Sequence, residues 1–308
     1  MSTNKRKIWI TGSSGMLGKR LYSILKKTDN TILEGNTKIF DQTIQKNVRD
    51  WLEINNPDEI IITSALVGGI NFNLSKSAEF LYKNAMIGMN IIQAAHDFDI
   101  KNLVFLGSSC MYPKNATQPI LESSLNQGEI EFTNESYGIA KLLGVKLIEK
   151  INSQYSRKYL TIVPTAAFGP GDMYDEKKSH VIPAMIMKFH DAKVNNRKKI
   201  TFWGSGEAQR EFIFVDDMAE GILFIKNNFK KNEMINLGTG IEIKIKELAY
   251  LIAKIVDYKG EIVFDKSKPE GVMRKILDNK KIKDLGWKPR YSLEEGLEIT
   301  YKDYCKNK

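Results

Sequence analysis

The chain is expected to fold as an α/β protein: a doubly wound parallel sheet with a smaller mixed α/β domain. Three observations carry that expectation. Short apolar strands alternate with amphipathic helices over the first 165 residues. A glycine-rich loop, Thr11-Gly12-Ser13-Ser14-Gly15-Met16-Leu17-Gly18, joins the first strand to the first helix. After Pro164 the alternation becomes irregular. Strands buried on both faces read as continuous apolar runs, and the helices between them cover those faces.

The first strand is 7–11, Lys-Ile-Trp-Ile-Thr, followed by a helix over 16–28 and a weaker strand at 31–34. Residues 48–55 read as a helix stopped by Pro57. The run 59–63, Glu-Ile-Ile-Ile-Thr, is a buried strand, 78–98 a long helix, and 102–107 the next strand. A helix over 137–155 and a strand at 159–163 complete the alternating part. Beyond it, Pro170-Gly171-Asp172 marks a loop, 181–193 a helix, 203–206 a turn and 211–215 a strand. Helices over 216–229 and 245–258 flank a strand at 234–237. The last helix, 292–304, opens on Ser292, a good N-cap residue. The division expected is a dinucleotide-binding part, 1–165 completed by roughly 216–240, and a substrate part, 166–215 with 241–308, over the sheet's carboxyl edge. There is no internal repeat and no low-complexity segment.

With 308 residues and 42% apolar composition the chain can bury a substantial core. No stretch of about 18 uninterrupted apolar residues predicts a membrane span. The net charge of +9 comes from scattered lysines without a helix-turn-helix, zinc-finger or RNA-binding signature. It suits a small anionic ligand such as a nucleotide diphosphate better than nucleic acid. Cys110 and Cys305 are too distant in sequence to suggest a disulfide framework, and a reducing cytoplasm is the plain reading. Three histidines and two cysteines without ligand spacing predict no metal site.

The glycines at 12, 15 and 18 allow a tight turn, a close approach to a pyrophosphate, and close helix–sheet packing, with the helix N-terminus facing the phosphates. Tyr137 and Lys141, one helical turn apart in Tyr-Gly-Ile-Ala-Lys, share a helix face. A lysine there is expected to ease ionisation of the tyrosine, which can then exchange a proton with a carbonyl or alcohol oxygen. Beside a nicotinamide ring this is hydride chemistry at an oxygen-bearing carbon. Ser108 follows the 102–107 strand, at the edge where such sheets bind ligands, although it could also cap a turn. For the cofactor, Glu34 near the end of the second strand favours NAD, whereas Lys38 or Arg20 could receive the 2′-phosphate of NADP.

The Gly-x-x-Gly-x-x-Gly spacing is that of extended short-chain dehydrogenases with a Rossmann domain. Several longer blocks sharpen the likeness: Val67-Gly68-Gly69-Ile70, Leu106-Gly107-Ser108-Ser109-Cys110-Met111-Tyr112-Pro113, Asn134 through Lys141, Ser179-His180-Val181-Ile182-Pro183-Ala184, Trp203-Gly204-Ser205-Gly206 and Ser267-Lys268-Pro269-Glu270-Gly271. Over almost its whole length the chain resembles the GDP-L-fucose synthase family, the GDP-4-keto-6-deoxymannose 3,5-epimerase/4-reductases. The resemblance implies epimerisation at C3 and C5 followed by hydride delivery to C4 from NADPH, with NADH second. It makes Cys110 the base, His180 the acid, and Ser108, Tyr137 and Lys141 the reductase triad. Gly12 to Gly18, Leu106, Gly107, Lys141, Pro164, Ala166, Ala167 and His180 would line the dinucleotide. Lys188, Trp203, Arg210 and Glu270 would hold the nucleotide sugar. A homodimer through helices 78–98 and 137–155 is implied as well.

The chain departs from the family where Pro-Thr-Asn-Leu-Tyr-Gly-Pro becomes Pro164-Thr165-Ala166-Ala167-Phe168-Gly169-Pro170. A polar amide is lost and space is opened, which points to a differently substituted sugar such as a GDP-4-keto-heptose, or to C4 reduction without epimerisation. Two other readings are weighed. A sugar-nucleotide dehydratase or 4-epimerase of the same fold is disfavoured by Ser109-Cys110, where dehydratases carry Asp-Glu. A non-catalytic dinucleotide sensor is disfavoured because Tyr137 and Lys141 are both kept.

Overall fold

The computed structural model describes residues 5–36, 39–268 and 271–308. Its central sheet has six parallel strands in the order β2-β1-β3-β4-β5-β9. They are β1 (Lys7–Thr11), β2 (Thr31–Gly35), β3 (Glu59–Ile62), β4 (Asn102–Leu106), β5 (Leu160–Pro164) and β9 (Ile235–Leu237). Strand β6 (Ala166–Phe168) lies just past β5, and β7 (Lys199–Trp203) and β8 (Gln209–Phe214) precede β9 in the chain. The strand order reverses between β1 and β3, which creates a crevice at their carboxyl ends, the usual ligand position in open α/β sheets.

The apolar runs are two-sided. In β1, Trp9 enters the core on one face, while Ile8 and Ile10 enter the core on the other. Ile61 and its neighbours Ile60 and Ile62 divide in the same way. This is the period-2 alternation of a strand, with apolar residues at both phases because both faces are covered. Helices α2 (Gln45–Asn55), α4 (Ser77–Asp97) and α5 (Glu135–Tyr155) supply the first core. Helices α1 (Met16–Leu25) and α7 (Val215–Asn228) supply the second. A third core, with Ile182, Phe189, Phe212, Leu248 and Leu297, joins β8 to α6 (Val181–Val194), α8 (Ile245–Val256) and α10 (Leu293–Asn307). Arg20 on α1 and Asp216 on α7 form a 2.6 Å ion pair across the second layer.

Several boundaries differ from expectation for local reasons. The first helix ends at Leu25 rather than 28, because the Thr28 hydroxyl and N–H both donate to the Leu25 carbonyl. The second helix begins one turn early, at Gln45, and is ended by Asn56 in the left-handed conformation (φ 43°) before Pro57 is reached. The 137–155 helix starts at Glu135. Ser292 does cap the last helix, in a capping box with Glu295. The strands β6, β7, β10 (Glu242–Lys244), β11 (Glu261–Asp265) and β12 (Arg274–Lys275), and the short helices α3 (Ile70–Ser75) and α9 (Lys280–Asp284), were not anticipated. Strands this short acquire their identity from partners, as when β7 pairs in parallel with β11 from Ile200↔Ile262 to Trp203↔Asp265. His96 and His190 are half-buried. His96 lies against the Tyr155 ring, and the His190 Nδ1 is 3.0 Å from the Tyr301 hydroxyl. Among the described residues no helix is long and apolar enough to cross a membrane, and no cluster of three or more potential metal ligands forms.

Candidate active site

The glycine loop sits at the carboxyl end of β1, directly over the crevice. Gly12 has φ +67°, and a Cβ there would come within 2.8 Å of the Ser64 Cα, so neither the conformation nor the space admits a side chain. A Cβ on Gly18 would stand 2.1 Å from the Gly12 carbonyl, which is how α1 seats against the loop. Gly15 is the N-cap of α1, and a methyl there would meet only the Gly12 carbonyl, at 3.4 Å. The outer face of the loop is thus an open cradle ending on a helix N-terminus with no acidic residue in its first turn. Those features fit a dinucleotide pyrophosphate. Ser14 and Gly15 are exposed, Met16 and Leu17 half-buried, and the Ser13 hydroxyl accepts from the buried Asn36 amide at 3.4 Å. Behind the loop, Thr11 Oγ1 and Ser64 Oγ are 2.6 Å apart, locking β1 to the segment after β3. At the end of β2, Glu34 is exposed. Arg20 is engaged by Asp216, and Lys38 lies outside the described residues.

Two strands along the same edge, β4 ends at Leu106 and runs through Gly107 into a 3-10 turn, Ser109–Met111. The Ser108 hydroxyl accepts the Cys110 N–H at 3.1 Å, so Ser108 does cap a turn, and from that place it also stands at the sheet's carboxyl edge. Helix α5 is drawn onto the turn through Gly138, where a Cβ would be 2.6 Å from the Cys110 carbonyl. Tyr137 is thereby held next to the Cys110 thiol. Lys141, one turn on, is buried, donates to the Leu106 carbonyl at 3.0 Å, and has its ammonium 5.8 Å from the Tyr137 ring centre. Ser108, Cys110, Tyr137 and Lys141 therefore share one corner at the end of β4.

The electrostatics of that corner differ from the expectation that Lys141 eases ionisation of Tyr137. Burial, with the Cys110 thiol beside it, pushes the Tyr137 phenol above the ordinary tyrosine range. Burial also pulls Lys141 down to about 8. Desolvation disfavours both charged forms and is the largest cause of each shift. A phenol kept protonated is suited to giving a proton rather than taking one.

His180 is the N-cap of α6 and reaches the same end of the sheet at the close of a strap, residues 171–180. Its imidazole retains solvent access, yet the protein gathered around it holds it below the usual histidine range. Contacts between rings join the strap to Tyr137. The Lys178 ammonium lies over Phe72, Phe72 meets Phe80 edge-on at 5.2 Å, and Phe80 meets Tyr137 at 6.4 Å. Nothing in the sequence singles out Phe72 and Phe80, whose link to Tyr137 depends on how α3 and α4 pack.

Pro164 closes β5, and Ala166 and Ala167 begin β6, paired with β8 through Ala166↔Phe212. Ala166 is exposed at the carboxyl edge. Lys188 projects from the second turn of α6, donates to the Thr201 carbonyl and lies 4.9 Å from the Phe202 ring centre. It is therefore engaged rather than a freely solvated charge. Trp203, at the end of β7, is 59% exposed, leaving a large aromatic face for a ligand. Arg210 on β8 donates to the Gln209 carbonyl at 2.8 Å and passes close to Gly271. Glu270 lies outside the described residues.

Comparison with known proteins agrees with this geometry. Residues 8–238 match the NAD dependent epimerase/dehydratase family. A GDP-L-fucose synthase from Escherichia coli (strain K12) is 42% identical over 99% of this chain and 98% of its own. The crystal structure of a GDP-6-OMe-4-keto-L-xylo-heptose reductase from C. jejuni superposes with a TM-score of 0.92, at 32% identity, covering 99% of both chains. A GDP-mannoheptose C4 reductase from Campylobacter jejuni, solved with NADP bound, gives 0.88 at 34% identity over 98% of both.

Proposed function

The chain belongs to the NAD dependent epimerase/dehydratase family, with the GDP-L-fucose synthases among its relatives, and from that premise we propose that it reduces C4 of a GDP-4-keto sugar with NADPH. The observation that carries this reading is the corner at the end of β4, where a buried lysine and a protonated phenol stand at the same carboxyl edge of the sheet as the glycine loop, with β3 between. The glycine loop, Leu106, Gly107 and Pro164 to Ala167 hold the dinucleotide, which supplies the hydride to C4 when bound. Tyr137 gives its phenolic proton to the C4 oxygen, and Ser108 donates a hydrogen bond to that oxygen. Lys141, when charged, supports the phenolate left behind.

Before reduction, Cys110 removes the proton at C3 and at C5, which the 4-keto group makes acidic. His180 returns a proton from the opposite face, inverting each centre. Lys188, Trp203, Arg210 and Glu270 hold the nucleotide sugar, Arg210 as a fork on the diphosphate and Trp203 as a stacking face. Residues 1–165 with 216–240 serve the dinucleotide, and 166–215 with 241–308 serve the sugar nucleotide. The protein acts in the cytoplasm as a homodimer through α4 and α5, which leave Tyr82 and Leu143 exposed on the outside of the fold.

A heptose as the sugar is favoured by one feature of the site: exposed Ala166 opens room at the carboxyl edge, and GDP-heptose reductases are among the similar structures. The test is turnover of GDP-4-keto hexoses and heptoses with NADPH in D2O, read by NADPH oxidation and NMR of the products. NADPH consumption with deuterium at C3 and C5 is expected. Reduction without deuterium uptake removes the epimerase step, and no reduction of any 4-keto sugar removes the function.

A further inference from the structure

The segment 66–69 follows β3 and is fastened from behind by two buried asparagines. Asn84 on α4 accepts the Leu66 N–H at 2.8 Å and donates to the Leu66 carbonyl at 3.0 Å. Asn73 on α3 donates to the Gly68 carbonyl at 2.9 Å. Both side chains are 4% exposed, so water offers neither an alternative partner. The other face of the segment carries the strap. The Gly69 N–H donates to the Lys178 carbonyl at 2.7 Å, and the Ser179 carbonyl lies 2.4 Å from where a Gly69 Cβ would stand. Gly69 has φ −67° and ψ 175°, an extended conformation open to any residue, so glycine is required for space alone. Within the strap, the Ser179 hydroxyl donates to the Met173 carbonyl at 2.6 Å and accepts the Asp175 N–H at 2.7 Å. The strap is thus a folded unit laid on a rail, and His180 is its next residue.

We propose that residues 66–69 set the position of His180 over the sugar, with Gly69 as the positioning residue. The proposal rests on the reading of His180 as the acid of the epimerisation. A methyl carbon needs roughly 3.3 Å from a carbonyl oxygen, so alanine at 69 displaces the strap by about 0.9 Å, the difference from the 2.4 Å available. A misplacement of about 1 Å in a reacting group costs on the order of 10²-fold in rate. The hydrogen bonds of the rail reach neither the glycine loop nor Lys141, so cofactor affinity is the control, whereas Tyr137 is linked to the strap through Phe72 and Phe80 and hydride transfer is not one.

The experiment compares the full-length wild type with Gly69→Ala, Gly68→Ala and His180→Asn. It reads imidazole titration by NMR, with the His180 signal assigned by its loss in His180→Asn, together with NADPH affinity and C3/C5 deuterium uptake. In Gly69→Ala the His180 pKa should rise toward the ordinary value of about 6.5 as the strap lifts. Deuterium uptake should fall on the order of 10²-fold, while NADPH affinity is unchanged. Gly68→Ala, whose methyl would meet the Phe72 ring at 2.5 Å and the Lys178 carbonyl at 3.2 Å, should change both in the same direction, and it decides the matter if Gly69→Ala does not fold. An unmoved His180 titration with wild-type exchange in the folded variants overturns the proposal. A moved titration, with full exchange retained by His180→Asn, supports the rail and rejects His180 as the acid.

Discussion

Lys141 and Tyr137 show how a motif's spacing differs from its chemistry. One helical turn brings the two onto a common face, but Gly138 and the Cys110 turn decide how deeply they are buried, and burial sets the protonation states. Desolvation holds the phenol protonated, the form that reduction of a ketone needs. Replacing Tyr137 by Phe should lower kcat for C4 reduction by roughly 10²- to 10⁴-fold with unchanged NADPH affinity, measured by single-turnover absorbance and fluorescence titration. Ala166 argues at the same scale. It is exposed and small where a side chain can reach the crevice. Ala166→Asn should restore an amide and remove room, raising the ratio of kcat/KM for hexose over heptose substrates by about tenfold. An unchanged ratio would detach Ala166 from sugar choice. Both residues could be singled out from the sequence, whereas the burial of Lys141 depended on β4 and could not.

Among the elements, the strap from 171 to 180 carries the most unbalanced chemistry. The Gly171 N–H donates to Asp303 of α10 at 3.0 Å. The Asp172 carboxyl accepts the Met173 N–H at 2.7 Å, yet its other oxygen is buried with no partner among the described residues, as is the Tyr174 hydroxyl. Burial pushes Asp172 up to about 7 from 3.8. An acid whose pKa is raised on folding favours the native state while protonated. Between pH 4 and 7 the native chain binds more protons than the unfolded one, so stability falls as pH rises through that window and levels off above it. Asp172→Asn should therefore melt higher than wild type at pH 8, with the difference vanishing near pH 4, as thermal denaturation at the two pH values will show. A constant difference would place the effect in packing rather than titration. In the sequence only the loop signal at Pro170-Gly171-Asp172 marks the strap, since its partners on α3, α10 and the 66–69 rail are remote in the chain.

For the molecule as a whole, the two-sided sheet leaves α4 and α5 with an outer surface bearing Tyr82, 61% exposed, and Leu143, 43% exposed. Apolar side chains gathered on adjacent helices favour covering by a second copy. Leu143→Lys should shift the protein toward monomer in sedimentation velocity without altering its melting cooperativity, and a wild type that sediments as a monomer at micromolar concentration would end the dimer reading. The positive charge is also a whole-molecule property, and it favours encounter with a diphosphate regardless of which basic side chain finally holds it.

The sequence by itself determined the parallel sheet, the glycine loop at its switch point, and the identity of the residues at the end of β4. These depend on period-2 runs, on turns that only glycine can make, and on i, i+4 spacing, all written within a few residues. The tertiary structure alone decided the short strands β6, β7 and β10 to β12, the protonation states of Tyr137 and Lys141, and the seating of His180. Each of these depends on how far one segment's backbone can approach another remote from it in the chain, and on the water such an approach excludes.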